Sequence, residues 1–147
     1  MTPRRVFRAL AVAEAITWVC LLAGMFVKYV VDASEVGVQV AGPVHGTVFI
    51  AYCLATVVVG VDQRWTSGRL VLGLVSAVPP LMTVWFDRHV EARGGLDDTW
   101  HSRPDSPNGS QRAVAWLIGH RRQALAGFVV AVAALTGLAL LVGPPVG

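Results

Sequence analysis

Charge is scarce in this chain. Only 14% of its 147 residues are Asp, Glu, Lys or Arg, against 54% hydrophobic ones, and the mean hydropathy is +0.59. Soluble domains carry about a quarter charged residues, so an ordinary water-facing globule is excluded. Cysteine is scarce as well. Cys20 and Cys53 sit in different apolar runs and form no CxxC pair, which leaves no disulfide framework and favours thiols that pack as small apolar groups. Strand-like alternation is missing from the apolar runs, which excludes a transmembrane β-barrel. Missing too are a nucleophile–base–oxyanion set, a glycine-rich phosphate loop and a cluster of metal ligands. The expectation is a protein that is not an enzyme and holds neither metal nor cofactor. The net charge of +3 comes without a basic helix interleaved with aromatics, so anionic headgroups rather than nucleic acid are the expected partners.

Long apolar runs are what the chain has in abundance. They cover about 6–31, 44–61, 69–87 and 123–143, each near the roughly twenty residues needed to cross a hydrocarbon core of about 30 Å. The expected fold is all-α: a polytopic membrane helical bundle with a three-helix core and a fourth, C-terminal transmembrane helix. The expected division is 1–93 for the three-helix domain, 94–121 for a polar linker and 122–147 for the fourth helix with a short tail. Pro43 suits the first turn of the second helix, where a missing N–H costs little. Pro79-Pro80 predict a kink in the third, tolerable where neighbours satisfy the freed carbonyls. Gly94-Gly95, Pro104, Pro107 and Asn108-Gly109-Ser110 mark the linker, the last also matching a short glycosylation pattern. Ala113 to Ile118 is too short to span and is expected on the membrane surface.

Each of the first three runs carries one weakly polar stripe. Glu14, Trp18, Leu21, Met25 and Lys28 share a face of the first helix; His45, Phe49, Tyr52 and Thr56 share a face of the second; Arg69, Gly73, Ser76, Pro80, Thr83 and Asp87 share a face of the third. Such stripes are expected to turn toward one another and away from lipid. Aligning the runs by depth, with every run crossing the bilayer, predicts an outer ionic layer of Lys28, His45 and Asp87. It also predicts an inner layer in which Glu14 meets Thr56, Gly73 and Ser76. Glu14 and Lys28 lie roughly 21 Å apart along the helix and cannot pair; Lys28 with Tyr29 is expected to snorkel to the interface. Trp65 and Trp85 read as interfacial anchors, and His89, His101 and His120 as solvated.

The start, Thr2-Pro3-Arg4-Arg5, imitates a twin-arginine export signal, but the run behind it is too long and holds Glu14. An uncleaved first helix with a cytoplasmic N-terminus in a bacterial plasma membrane is expected. With three crossings before the linker, five arginines fall on the inside segments and seven basic residues, including Lys28, on the outside, so the positive-inside rule does not decide the matter.

The residues Ala13-Glu14 through Leu21-Leu22, Lys28-Tyr29, Gly42-Pro43-Val44-His45-Gly46 with Phe49 and Tyr52, and Pro79-Pro80 through Phe86-Asp87-Arg88 together resemble the bacterial membrane proteins grouped as domain of unknown function 3817. The resemblance covers about residues 4–93. It implies a compact three-helix membrane unit, to which the linker and fourth helix are additions, and it implies no activity.

The candidate site is therefore a polar core of Glu14, Lys28, His45, Tyr52, Thr56, Ser76 and Asp87. Two readings of it stand side by side. In one the chain is a non-enzymatic accessory or interaction subunit, partnered by the lipid bilayer and by another membrane protein or its own copies, with Glu14 and His45 holding the bundle. In the other Glu14 is the carboxyl of a proton-coupled carrier for a small cationic or amphipathic solute, since intramembrane carboxyls default to function. Four short spans with a glutamate in the first resemble the small multidrug exporters, from which the long linker, His45 and Pro79-Pro80 depart.

Overall fold

The structure, a computed structural model, describes residues 2–101 and 109–142. It is helical throughout: α1 Pro3–Tyr29, α2 Val36–Asp62, α3 Ser67–Val75, α4 Met82–Ala92, α5 Gly109–Gly119 and α6 Arg121–Val142. Three of these, α1, α2 and α6, are long and apolar enough to cross a membrane.

The first helix begins where its residues say it should. Thr2 Oγ1 accepts from Arg5 N at 3.2 Å and Pro3 takes the first helical position, where its missing N–H is no loss. It then runs antiparallel to α2. The two backbones come into contact at Gly24 and Gly37, where a Cβ on Gly24 would lie 2.8 Å from the Gly37 carbonyl carbon. The second helix starts earlier than expected, at Val36, so Pro43 lies two turns inside it rather than in its first turn. Proline there leaves the carbonyl of Gln39 without its usual helical donor.

The third apolar run does not cross. Its first half, α3, runs along α2: Leu70 lies against Gly60, Gly73 against Thr56, and Ser76 within 3.1 Å of the Tyr52 hydroxyl. Helix geometry ends at Val75 and the chain turns through 76–81, where Pro79 and Pro80 supply no N–H and Leu81 takes a left-handed φ of 66°. The second half, α4, then comes back. Thr83 meets Ala11, Asp87 meets Arg8 and Glu91 meets Arg4, while Phe86 returns to Gly73 and Trp65. Residues 69–87 thus form a re-entrant helical hairpin, not the kinked spanning helix expected. Its tip lies near Trp18, whose indole donates to the Ala77 carbonyl at 3.2 Å. That is roughly 22 Å along an α1 of roughly 40 Å, a little past the middle. The two prolines do more than kink because a reversal needs several consecutive residues out of helical geometry, and the pair provides them.

This reversal returns the chain to the end where it began. There Trp65 donates its indole N–H to the Gly95 carbonyl at 2.6 Å and packs edge-on against Phe7 and Phe86. Trp65 is a buried core residue, not the interfacial anchor expected; Trp85, 47% exposed, faces outward. Helix α5 occupies part of the stretch read as a linker, buries Val114 and packs on α2 near Asp62. Helix α6 leaves from that end and packs along α2. Asn108 of the glycosylation-like pattern lies outside the described residues.

Candidate functional site

The interior polar groups fall into four sets stacked along the bundle. At the end holding both termini of the re-entrant hairpin is an ionic clamp. Arg8 Nε donates to Asp87 Oδ2 at 2.9 Å, the Arg4 and Arg8 guanidinium groups both pair with Glu91, and Arg4 reaches Asp98 at 3.2 Å. Asp87 is buried while Arg8 is partly exposed, so the clamp reaches from water into the protein.

One turn deeper on α4 lies Thr83, and beside it Glu14. Glu14 is fully buried, as is Thr83. The Thr83 hydroxyl oxygen is 2.8 Å from Glu14 Oε2 and 3.0 Å from the carbonyl oxygen of Ala11. A hydroxyl has one proton, and a carbonyl can only accept. Both contacts are full hydrogen bonds when Glu14 carries a proton on Oε2, donates it to Thr83, and Thr83 donates to Ala11. Thr83 is the second residue of α4, so the carboxyl group lies beside the start of that helix. The buried acidic side chain is thus answered by a hydroxyl rather than by a basic residue.

Across the hairpin, Tyr52 on α2 donates to Ser76, which donates to the Gly73 carbonyl at 2.7 Å, while the Thr56 hydroxyl is spent on the Tyr52 carbonyl at 2.8 Å. Glu14 therefore meets Thr83, not the Thr56 and Ser76 expected. The reason is the reversal, which brings the second half of the third run, not the first, against α1.

The fourth set lies one turn beyond Glu14. His45 is buried, its Nδ1 is 3.0 Å from Thr17 Oγ1, and its ring packs 4.6 Å from Trp18. Lys28 stands further out, 3.2 Å from Glu35 and 5.2 Å from the ring of Tyr29. Lys28, His45 and Asp87 thus lie at three separate depths, and the expected outer ionic layer does not form. Asp87 fails to join it because α4 carries it back to the opposite end.

Sequence reasoning missed a further polar knot. Asp62, at the end of α2, is buried; its carboxylate accepts from the backbone N–H of His101 at 3.1 Å and from Gln63 Nε2 at 2.7 Å. His101 Nε2 lies 3.3 Å from Asp97. His101, read as merely solvated, helps strap residues 96–101 across the end of the bundle. The signal available was Asp62 itself, an acidic residue closing an apolar run. No group of three or more His, Cys, Asp or Glu side chains suited to a metal occurs among the described residues.

Residues 4–92 match the family described as Domain of unknown function (DUF3817). The chain belongs to this family. The DUF3817 unit takes in α1 to α4, and with them the clamp, the Glu14–Thr83 pair, the Tyr52–Ser76 pair and His45; α5 and α6 lie beyond it. A protein of Streptomyces coelicolor named "Putative membrane protein SCO5905" is 42% identical over 93 residues, which is 63% of this chain but 11% of the relative. The chain thus spans about a tenth of that protein's length. No solved structure matches. The family is of uncharacterised role, and this is a multi-pass helical membrane protein within it.

Proposed function

We propose that this protein is a non-enzymatic accessory or interaction subunit of the bacterial plasma membrane, in which the DUF3817 unit acts as a pre-folded packing module for another membrane protein or for its own copies. The observation that carries this reading is how the buried polar groups are used. Glu14 with Thr83, Tyr52 with Ser76, His45 with Thr17 and Asp87 with Arg8 are each spent on fastening one helix to another. The long relative supports it, because there the same unit is one small part of a far larger chain.

Charge favours one orientation. With 69–87 re-entrant, α1, the hairpin, α5 and the start of α6 share one end. Arg4, Arg5, Arg8, Arg64, Arg69, Arg88, Arg93, Arg112 and Arg122 stand there, and Lys28 is the basic residue at the other. The tie counted for three crossings becomes a large excess on one side, which favours a cytoplasmic N-terminus. In a background with Cys20 and Cys53 replaced by alanine, Ser67→Cys and Arg93→Cys should both resist an impermeant maleimide applied outside, while Ser34→Cys reacts. Labelling of Ser67→Cys and Arg93→Cys from opposite faces would sink the re-entrant reading.

The packing role is tested at Glu14. Glu14→Gln should leave function nearly intact, since an amide still donates to Thr83, whereas Glu14→Leu should loosen the bundle. Equal and complete loss in both, with the protein stably inserted, would count against it. A second reading, proton-coupled transport of a small cationic or amphipathic solute, is favoured by one feature: Glu14 Oε1 is buried with no partner among the described residues. Reconstituted vesicles bearing a pH gradient would show Glu14-dependent flux if it holds.

A further inference from the structure

Two carboxyl oxygens in the α1–α4 interface are buried and have no hydrogen-bond partner among the described residues: Glu14 Oε1 and Asp87 Oδ1. Their residues are 0% and 3% exposed. Orphaned buried acceptors of this kind are satisfied either by a proton or by an ordered water. They are also neighbours in construction. Thr83, which touches Glu14 Oε2, and Asp87 are four apart on α4 and both reach α1, so their side chains sit one above the other on a single face.

Glu91 continues the same face by another turn. It is paired with Arg4 and Arg8 and is a quarter exposed. Glu91, Asp87 and Glu14 thus step inward from water to the middle of the bundle. Arg8 occupies Asp87 Oδ2 and leaves Oδ1 as the free oxygen. The charged and titratable groups around this column are Arg4 and Arg8 from α1, Glu91 from α4, Asp98 from the strap, and Tyr52, Cys53 and His45 from α2.

Toward the other end the column closes. The Trp18 indole, beside the Glu14 carboxyl, donates to the Ala77 carbonyl, Thr17 donates to the Glu14 carbonyl and meets His45, and beyond them the Gly24 and Gly37 backbones are in contact.

We propose that Asp87 is the relay through which the buried carboxyl of Glu14 exchanges protons with the arginine-rich end, by way of a water bridging Asp87 Oδ1 and Glu14 Oε1. After its carboxyl rotates, Glu14 passes its proton to the bridging water, which gives up one of its own to Asp87 Oδ1, and Asp87 releases that proton to bulk water. The carboxylate left on Glu14 regains a proton by the same steps in reverse. Nothing but protons is moved. The path is one-sided, since it stops at Glu14, and it holds whether the protein is a packing module or a carrier.

The test is infrared spectroscopy of the full chain in lipid. The carboxylic C=O stretch of Glu14, assigned as the band lost in Glu14→Gln, should shift on transfer to heavy water within the mixing time. In Asp87→Asn the shift should be at least tenfold slower, and Asp87→Glu, which keeps a carboxyl, should restore much of the rate. Unchanged exchange in Asp87→Asn would overturn the relay, as would the lack of any protonated-acid band from Glu14 across the pH range in which the protein stays folded. Should Asp87→Asn fail to insert, an experimental density map of the wild-type protein decides: ordered water within hydrogen-bonding reach of both oxygens supports the relay, and apolar atoms packed against Glu14 Oε1 overturn it.

Discussion

The two ends of the α1–α2 pair are built from different materials. At the arginine-rich end the pair is covered by the re-entrant hairpin, held by ion pairs, and filled by Phe7, Tyr52, Trp65 and Phe86 with ring centroids 5.5–6.1 Å apart. At the Lys28 end the hairpin is gone, and the two helices hold each other through a glycine–glycine contact and one exposed ion pair. The exposed residues there, such as Phe26, Val27, Val36 and Val40, are of the kind that lipid solvates as well as protein does. The difference teaches where specificity resides. Apolar matter is interchangeable with lipid and does not fix a fold within a membrane; close contacts and hydrogen bonds with one right partner do.

The contrast can be broken by substitution, and the largest effect is expected at the clamp. Arg8→Ala removes the partner of a buried carboxylate and should cost about 2–3 kcal/mol in equilibrium unfolding from mixed micelles, since Asp87 is left buried without its charged partner, although the half-exposed Arg8 is itself screened by water. A change below about 1 kcal/mol would mean that the half-exposed Arg8 is screened by water and adds little to the fold. Next comes Glu14→Leu, which leaves Thr83 without its carboxyl partner and should cost about 2 kcal/mol, with Glu14→Gln within about 1 kcal/mol of wild type. Third is Gly24→Ala, which sets a methyl group 2.8 Å from the Gly37 carbonyl carbon. Backbone cannot swing aside, so a loss of about 1–3 kcal/mol is expected. Gly73→Ala should cost less, because there the obstructing atoms belong to the Phe86 and Thr56 side chains. Last is Lys28→Gln, expected to leave the unfolding transition essentially where it is, because water screens the Lys28–Glu35 pair. A loss as large as that of Arg8→Ala would erase the distinction between the ends.

The stripes show how far the chain can be read without coordinates. Helical spacing alone picked out three stripes, on which Glu14, His45, Tyr52, Thr56, Gly73, Ser76, Thr83 and Asp87 are buried, Trp18, Leu21, Met25, Lys28, Phe49 and Arg69 are partly exposed, and Pro80 is exposed. Which of them meet was not legible. Gly73 and Ser76 face inward on the outgoing half of the third stripe and Thr83 and Asp87 on the returning one, with Pro80 exposed in the turn between them. Periodicity registers which side of a helix is covered; it carries no record of a reversal of direction. An apolar run of nineteen residues is long enough to cross, and the reversal within it carries Asp87 to Arg8 and sets Thr83 rather than Thr56 or Ser76 against Glu14. Trp65 was misjudged for a related reason, because an indole beside a polar turn reads as an interfacial anchor unless the Gly95 carbonyl that receives its N–H is known.

What the sequence by itself determined is the membrane setting, the helical class and much of the inward face of the first three runs, because these depend on composition and on a 3.6-residue repeat, which are local properties. What only the tertiary structure decided is that the third run turns back at mid-depth, that Glu14 answers to Thr83, and that the arginines gather at one end. Those depend on how distant parts of the chain satisfy one another's hydrogen bonds where water is absent, and no local pattern encodes the choice of partner.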